Sequence, residues 1–119
     1  MPQMTPQLEK WILKYLLGRL SQMWQWHVPR KQCKQRAYIG RGPLQQHLWV
    51  CASCNQKSDT VQVDHIVAKG AAPVKLSELE SYIDKYFCPV DNLQCLCIEC
   101  HRVKTKKDVK HIRQMKRVQ

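Results

Sequence analysis

Four cysteines occur in two pairs whose spacing suits a metal ion. Cys51 and Cys54 form the first Cys-x-x-Cys pair, and Cys97 and Cys100 form the second. Two intervening residues let both sulfurs of a pair reach one ion, and four thiolates complete the tetrahedral shell of structural Zn²⁺. The opening residues lack a charged-then-apolar secretory signal, so we expect a structural zinc site in a reducing cytoplasm rather than disulfides.

The other three cysteines have a plainer interpretation. Cys95 competes with Cys97 for the second pair, but if the segment that follows is helical, Cys97 and Cys100 share one face at i and i+3. Cys33, Cys88 and Cys95 are therefore expected to be small buried hydrophobic residues.

Asp64, His65, Asn92 and His101 could together support hydrolysis of a phosphodiester. That reaction needs a group that deprotonates water, a cation that neutralises charge on the phosphate and a residue that holds the base. His65 is the natural base, because an imidazole with a pKa near 6.5 accepts a proton at neutral pH. Asp64 offers a hard oxygen ligand for Mg²⁺ or a similar ion, and His101 offers a nitrogen that also suits Mn²⁺, Ni²⁺ or Zn²⁺.

Structural alternatives exist for each of these residues. Neighbours in a regular strand point to opposite faces, so Asp64 and His65 converge only if the strand twists or ends there. His101 lies about 100° around a helix from Cys100 and can face a second site, although it could also be an alternative zinc ligand. Lys104, at i+3 from His101, would present an ammonium to the same phosphate.

The elements that must position these residues are a mixture of helix and strand. Thr5, followed by Pro6, predicts the cap of a helix that reaches about Trp24, although Gly18 weakens it by roughly 1 kcal/mol and could break it. Its apolar face is expected to form core against the rest of the protein, with a dimer seam as the alternative. That face comprises Leu8, Trp11, Ile12, Tyr15, Leu16, Leu20 and Met23.

A small β-hairpin is expected around the first cysteine pair. Leu48-Trp49-Val50 predicts a strand that enters the pair, Asn55 to Asp59 a turn, and Thr60 to Asp64 an alternating return strand. Ser77 to Glu80 predicts a capping box that opens a helix of about ten residues. We divide the chain into an N-terminal helical and basic extension (1–46), a catalytic domain (47–109) and a basic C-terminal tail (110–119).

The charge balance favours a polyanionic partner. Within 119 residues, 20 Lys and Arg oppose 9 Asp and Glu, which gives a formal net charge of +11. Nucleic acid is the first expectation, and the opening apolar stretch is too short and too charged to cross a membrane. The candidate DNA contacts lie in two basic arms and are Arg30, Lys31, Lys34, Arg36, Arg41, Arg102, Lys104, Lys106 and Lys107.

Taken together, the motifs resemble the HNH endonucleases, and more narrowly the small free-standing members common in bacteriophages and mobile elements. The resemblance covers roughly 49–108, and the family often has Pro and Gly-Gly where Val67-Ala-Lys-Gly70 stands here. The matching motifs are Cys51-x-x-Cys54, Val63-Asp-His-Ile66, Asn92-Leu-Gln-x-Leu-Cys97 and Cys97-x-x-Cys100-His101-x-x-Lys104-Thr105.

This resemblance implies an α+β fold with a ββα-metal (His-Me finger) core, a short β-hairpin, a zinc knuckle and an N-terminal helical extension. His65 would be the general base, and Asp64 and His101 would hold the catalytic divalent ion. Asn92 would complete the catalytic set by fixing the loop that bears His65. The structural Zn²⁺ would be bound by Cys51, Cys54, Cys97 and Cys100.

The leading hypothesis is a phage-encoded, metal-dependent DNA endonuclease, acting as a monomer or weak homodimer in the host cytoplasm. It would nick or cleave duplex DNA and leave 3′-hydroxyl and 5′-phosphate ends, as the resemblance implies. The alternative is a non-catalytic zinc module that binds nucleic acid. A toxin-like nuclease with an inhibitory partner would share the same chemistry.

Overall fold

The computed structural model describes the backbone of residues 3–118 and the side chains of residues 3–114. This part of the chain is a mixture of helices and small sheets, as expected for an α+β fold. The helices are α1 (Pro6–Trp24), α2 (Val28–Ala37), α3 (Leu79–Tyr86) and α4 (Ile98–Val118). The strands are β1 (Tyr38–Arg41), β2 (His47–Val50), β3 (Lys57–Ser58), β4 (Val61–His65) and β5 (Leu93–Cys97).

Strand pairing differs from the predicted hairpin. β2 pairs antiparallel with β1 and β3, and β4 pairs antiparallel with β5, so the two strands of the predicted hairpin, 48–50 and 60–64, are not partners. The chain turns back sooner than expected, because Asn55 adopts a left-handed conformation (φ 60°) and Lys57–Ser58 takes the edge of β2. β4 then finds a partner of its own length in β5.

The β4–β5 pair lies between α2 and α4. One face packs under α2, where the Cys33 and Cys95 sulfurs are 3.8 Å apart. Leu96 is on the opposite face and is 2% exposed. The main core cluster comprises Cys33, Val61, Val63, Cys88, Leu93 and Cys95, which confirms the burial expected of the three remaining cysteines.

Helix α1 has the expected bounds but not the expected face. Thr5 Oγ1 accepts a hydrogen bond from the Leu8 amide, and the helix continues without a break through Gly18 to Trp24. The prediction that its aromatic face forms core is wrong for Leu8, Trp11, Tyr15 and Met23, which are exposed. The buried residue is Leu13, about 200° around the helix from Trp11, so the helix packs through another side.

The predicted capping box at Ser77 is also wrong. A 3-10 turn, Leu76–Glu78, comes first, and the Glu78 carboxylate accepts a hydrogen bond from the Lys75 amide at 3.1 Å. α3 therefore begins at Leu79 and has eight residues. The division of the chain at residues 46 and 109 stays a prediction; α2 and β1 pack or pair with later elements, and α4 runs across residue 109.

No helix in residues 3–118 combines the length and apolar character needed to cross a membrane.

Candidate metal centre

Four cysteine sulfurs converge beside the end of β5. The Sγ atoms of Cys51, Cys54, Cys97 and Cys100 all lie within 4.8 Å of one another, and those of Cys54 and Cys97 are 3.9 Å apart. Tetrahedral zinc with Zn–S bonds of 2.3 Å requires sulfurs about 3.8 Å apart. The cluster can therefore hold one metal ion, and its donor set and spacing are compatible with zinc.

Backbone hydrogen bonds place the first cysteine pair. The Cys51 amide donates to the Gln56 carbonyl at 3.0 Å, and the Asn55 amide donates to the Cys51 carbonyl at 2.9 Å. The left-handed backbone at Asn55 suits an asparagine better than most residues and closes this turn. The Ala52 amide donates to the Cys95 carbonyl at 2.8 Å, which ties the turn to β5.

The second pair spans a strand end and a helix start. Cys97 is the last residue of β5, where it pairs with Val61, and Cys100 lies in the first turn of α4. The expectation that both cysteines share one helix face is therefore wrong, because strand pairing persists through Cys97. The Cys100 amide still points at the Cys97 sulfur at 3.5 Å, so the two thiols meet across the junction.

The pKa values of two thiols in this cluster are shifted in opposite directions. Burial would raise the pKa of Cys51, but hydrogen bonds from the backbone amides of Cys54 and Cys97 lower it to about 6. Hydrogen bonds with the Cys97 and then the Cys51 side chains raise the pKa of Cys100 to about 12. Metal ions bind cysteine as the thiolate, so a cation bound here would be coupled to the release of protons.

His65 is buried and fixed in one orientation. Its side chain is 6% exposed, and its ring stacks on Trp24 with centroids 4.9 Å apart. Nε2 donates to the Tyr86 carbonyl oxygen at 2.7 Å. A carbonyl only accepts, so Nε2 carries the hydrogen and the lone pair of the neutral ring is on Nδ1. Burial lowers the pKa of His65, partly offset by the hydrogen bond to Tyr86, which favours this neutral form.

Asp64 lies on the other face of β4. Burial alternates along the strand, with Val61, Val63 and His65 buried, and Asp64 is directly paired with Gln94 of β5. This alternation places the side chains of Asp64 and His65 on opposite faces of β4, whereas a shared site requires them to converge. The two residues meet through the backbone, where the His65 amide donates to Asp64 Oδ1 at 2.8 Å.

A lysine already supplies positive charge to Asp64. Lys104 Nζ lies 3.2 Å from Asp64 Oδ2 and also donates to Asp108, one helical turn further along α4. Burial would lower the pKa of Lys104, but the adjacent carboxylates of Asp108 and Asp64 raise it overall. Asp64 Oδ2 is buried without a well-aligned hydrogen bond, even though Lys104 is close. An oxygen in that state retains a lone pair for a further cation.

Asn92 holds the loop that follows His65. Its Oδ1 accepts from the Val67 amide at 3.0 Å, its Nδ2 donates to the Val67 carbonyl at 3.3 Å, and its own carbonyl accepts from the Ile66 amide at 2.8 Å. His101 is partly buried on α4. Among the side chains of residues 3–114, the four cysteines are the only group of three or more potential ligands, so Asp64 and His101 belong to no such group.

Sequence reasoning missed the aromatic and basic surroundings of His65. Lys69 Nζ lies 3.9 Å from the centre of the Tyr86 ring, and its charge and that of Asp64 both act on His65. Burial lowers the pKa of Lys69, and the charge of Asp64 opposes this. Trp24 comes from α1, far away in the chain. No local spacing marks these residues, because packing of distant segments brings them together.

The basic arms are mostly exposed but partly engaged. In the first arm, Lys34 Nζ lies 4.5 Å from the Trp49 ring centre, and Arg36 pairs with Asp91 at 3.4 Å. Lys31 and Arg41 are exposed and Arg30 is partly buried, while in the second arm Arg102, Lys106 and Lys107 are exposed. The predicted tail beyond Gln114 lies outside the described side chains.

Two cavities adjoin these residues. One of about 440 Å³ lies against α4 beside Lys104 and is also lined by Gln94 and Lys107. Another of about 840 Å³ lies at the loop after β4, where Asn92 and Asp108 form part of its wall. Open space is therefore available beside Lys104 and beside the loop that Asn92 holds.

Comparison with known proteins identifies no relative: no protein-family model matches the chain, and neither the curated proteins nor the solved structures contain a significant match.

Proposed function

We propose that this protein is a metal-dependent endonuclease of the HNH type that hydrolyses phosphodiester bonds in DNA. The observation that carries the proposal is the state of His65. Its Nε2 is bound to the Tyr86 carbonyl at 2.7 Å, so Nδ1 is left as a base beside the end of β4. Burial keeps the ring neutral at physiological pH, as a general base requires.

In this proposal β4, β5 and α4 form the ββα-metal core, with the cysteine cluster as its zinc knuckle. β4 and β5 are paired and lead directly into α4, and the knuckle holds the turn after Cys51 against this unit. Zinc would then fix the relative positions of β5 and α4. Those two elements carry Gln94, which is paired with Asp64, and Lys104, whose ammonium lies 3.2 Å from the Asp64 carboxylate. His101 precedes Lys104 on α4 by three residues.

Asp64 and His101 would hold the catalytic divalent ion. The donor set suits Mg²⁺ or Mn²⁺, with Ni²⁺ or Zn²⁺ as alternatives, and the poorly satisfied Asp64 Oδ2 fits a cation ligand. Such an ion, when bound, would neutralise negative charge on the phosphate. Lys104 would keep its ion pair with Asp108 and place its ammonium near a phosphate oxygen.

The chain's own residues perform the proton transfer. His65 Nδ1 takes a proton from water as the water oxygen forms a bond to phosphorus. The bond from phosphorus to the 3′ oxygen breaks, and that oxygen takes a proton from a solvent water. His65 returns its proton to solvent, and the products carry 3′-hydroxyl and 5′-phosphate ends. Asn92 acts as a positioning residue, because its three hydrogen bonds hold the loop immediately after His65.

DNA is the proposed substrate because the charge of the chain is strongly positive. The net charge is +11, and exposed Lys and Arg side chains occur on both α2 and α4. Contacts of this kind to phosphates release counterions, so binding should weaken steeply with salt. We place the reaction in the reducing cytoplasm of a phage-infected cell, where seven free thiols would be maintained.

The test is conversion of supercoiled plasmid to nicked or linear DNA at low salt, with EDTA, Mg²⁺ or Mn²⁺. His65→Gln is the sharpest variant, because a glutamine amide keeps an N–H donor for the Tyr86 carbonyl but cannot accept a proton at neutral pH. Cleavage by the wild type alone, and only with the divalent ion, is expected. A general base contributes typically 100-fold to 10,000-fold, so the loss should be at least about 100-fold.

His47→Ala is the matched control, since His47 is an exposed histidine on β2. It should cleave like the wild type. A folded His65→Gln protein with full activity would exclude His65 as the base.

A non-catalytic zinc module that binds nucleic acid is the second candidate. It is favoured by the ion pair of Asp64 with Lys104 and by the burial of His65 among aromatic rings, both of which are also ordinary structural arrangements. Metal content separates the two functions. One tightly bound zinc per chain fits the module, whereas a further, weaker divalent site that Asp64→Asn and His101→Ala abolish fits the enzyme.

A further inference from the structure

Helix α1 has an outward-facing stripe of aromatic residues that the proposed site does not use. Trp11 and Tyr15 are 64% and 54% exposed, whereas Leu13, on the opposite side of the helix, is 4% exposed. Large aromatic side chains normally bury most of their surface in the core or at an interface. The stripe is therefore available to a binding partner while the inner side holds α1 in place.

The stripe has a regular chemical order. The rings of Trp11 and Tyr15 are nearly parallel, with an interplanar angle of 10° and centroids 6.2 Å apart. The guanidinium of Arg19 follows one turn later, 5.5 Å from the Tyr15 ring centre. Three flat groups thus lie one turn apart along the same face, two aromatic and one cationic.

A shallow groove of about 530 Å³ runs along this stripe. Its lining residues are Trp11, Lys14, Tyr15, Gly18, Arg19 and Gln22, which include two cations and no acid. A Cβ built on Gly18 would meet nothing within 4 Å, so the floor of the groove is open at that point.

We propose that this stripe binds an unpaired DNA strand, with bases stacked on Trp11 and Tyr15 and phosphates near Lys14 and Arg19. Stacking surfaces flanked by cations are how proteins hold single strands without reading their sequence. The inference rests on DNA being the partner in the proposed function. It deepens that function, since the preferred substrate would carry a single-stranded segment, as gapped or forked DNA does.

Charge favours a polynucleotide over a second copy of this chain. A symmetric dimer through the stripe would bring Lys14 and Arg19 of each copy toward the same residues of the other, and like charges across an interface are unfavourable. α1 as a whole carries Lys10, Lys14 and Arg19 against Glu9 alone. An anionic strand meets the same residues with favourable charge.

The experiment measures fluorescence anisotropy of a labelled oligothymidylate and of a duplex of equal length at low salt. The Trp11→Ala, Tyr15→Ala double variant should bind the oligothymidylate on the order of tenfold more weakly, with a much smaller loss for the duplex. Met23→Ala is the matched control, because Met23 is 57% exposed on the same helix but outside the groove. It should bind both probes like the wild type.

Any one of three results would overturn the inference. The double variant could bind the oligothymidylate as tightly as the wild type does, or the wild type could be a dimer that the double variant converts to monomer. Alternatively, the double variant could lose binding to phosphatidylserine vesicles and keep its binding to the oligothymidylate. Plasmid cleavage separates this from the proposed function. If His65→Gln loses plasmid cleavage but the double variant still binds the oligothymidylate like the wild type, only the role of the stripe is disproved. If the double variant binds the oligothymidylate more weakly but the wild type cleaves no plasmid, only the proposed nuclease activity is disproved.

Discussion

The four cysteine sulfurs beside the end of β5 lie within 4.8 Å of one another, whereas the Asp64 carboxylate lies 3.2 Å from the Lys104 ammonium. In the first region the four sulfurs face one another at a spacing that suits one cation. In the second, the positive charge comes from the chain itself. A metal ion can therefore complete the first region, whereas the proposed catalytic ion at the second would have to compete with a lysine.

Zinc removal should have the largest effect. Cys100→Ser is expected to lose the bound zinc and to unfold at much lower temperature, because structural zinc contributes about 10–16 kcal/mol of apparent binding free energy in small zinc domains. Zinc content by elemental mass spectrometry and thermal unfolding with and without EDTA measure this.

Gln56→Ala changes an exposed side chain in the same turn and should leave both quantities unaltered, because the carbonyl that accepts from the Cys51 amide belongs to the backbone. Retention of one zinc per chain and of the wild-type unfolding temperature by Cys100→Ser would show that the cluster is not a metal site.

The cysteine cluster was easier to predict from the sequence than the surroundings of Asp64, because the cluster depends on local spacing. The pairs at Cys51 and Cys97 are local patterns, so the cluster was predictable even though Cys97 ends a strand instead of starting a helix. The capping of α1 by Thr5 is equally local. The partner of β4 was not predictable, because the choice between β2 and β5 depends on a turn conformation at Asn55 and on matching strand lengths.

Contacts around His65 depend even more on distant packing. Trp24 reaches His65 from α1, and Tyr86 supplies its carbonyl from the end of α3. An amphipathic pattern shows that a helix has apolar residues but not which of them the fold covers. It therefore did not predict that α1 leaves Trp11 and Tyr15 exposed.

Lys104 tests whether its own ammonium and a bound divalent ion compete for the Asp64 carboxylate. Lys104→Met removes the cation next to Asp64, so affinity for Mn²⁺ in zinc-loaded protein should increase on the order of tenfold. DNA cleavage should fall in the same variant, because Lys104 is proposed to contact the phosphate. Calorimetric titration of Mn²⁺ and the plasmid assay measure the two opposite changes.

Lys106→Met is the matched control, because Lys106 is exposed on the same helix. It should leave Mn²⁺ affinity unchanged. Unchanged Mn²⁺ affinity in Lys104→Met as well would mean that no divalent ion binds at Asp64.

The smallest expected effect is a shift in the pH dependence of cleavage. The reaction requires neutral His65, and burial lowers the pKa of His65, so the acidic limb should lie below about 6.5, the value of a free imidazole. The charge of Lys69 lowers this pKa further. Lys69→Met should therefore move the limb to higher pH, whereas Lys69→Arg should leave it in place.

Single-turnover rates between about pH 5 and 8 test this, since that is the range in which a histidine changes charge. The readout separates an electrostatic role from simple loss of packing, because a destabilised variant would lose rate at every pH without moving the limb. An acidic limb at the same pH in the wild type and in Lys69→Met would mean that the group titrating in the reaction is not under the charge of Lys69. Together with full activity of His65→Gln, that result would remove His65 as the base, and the Asp64 region would join the cysteine cluster as a structural feature.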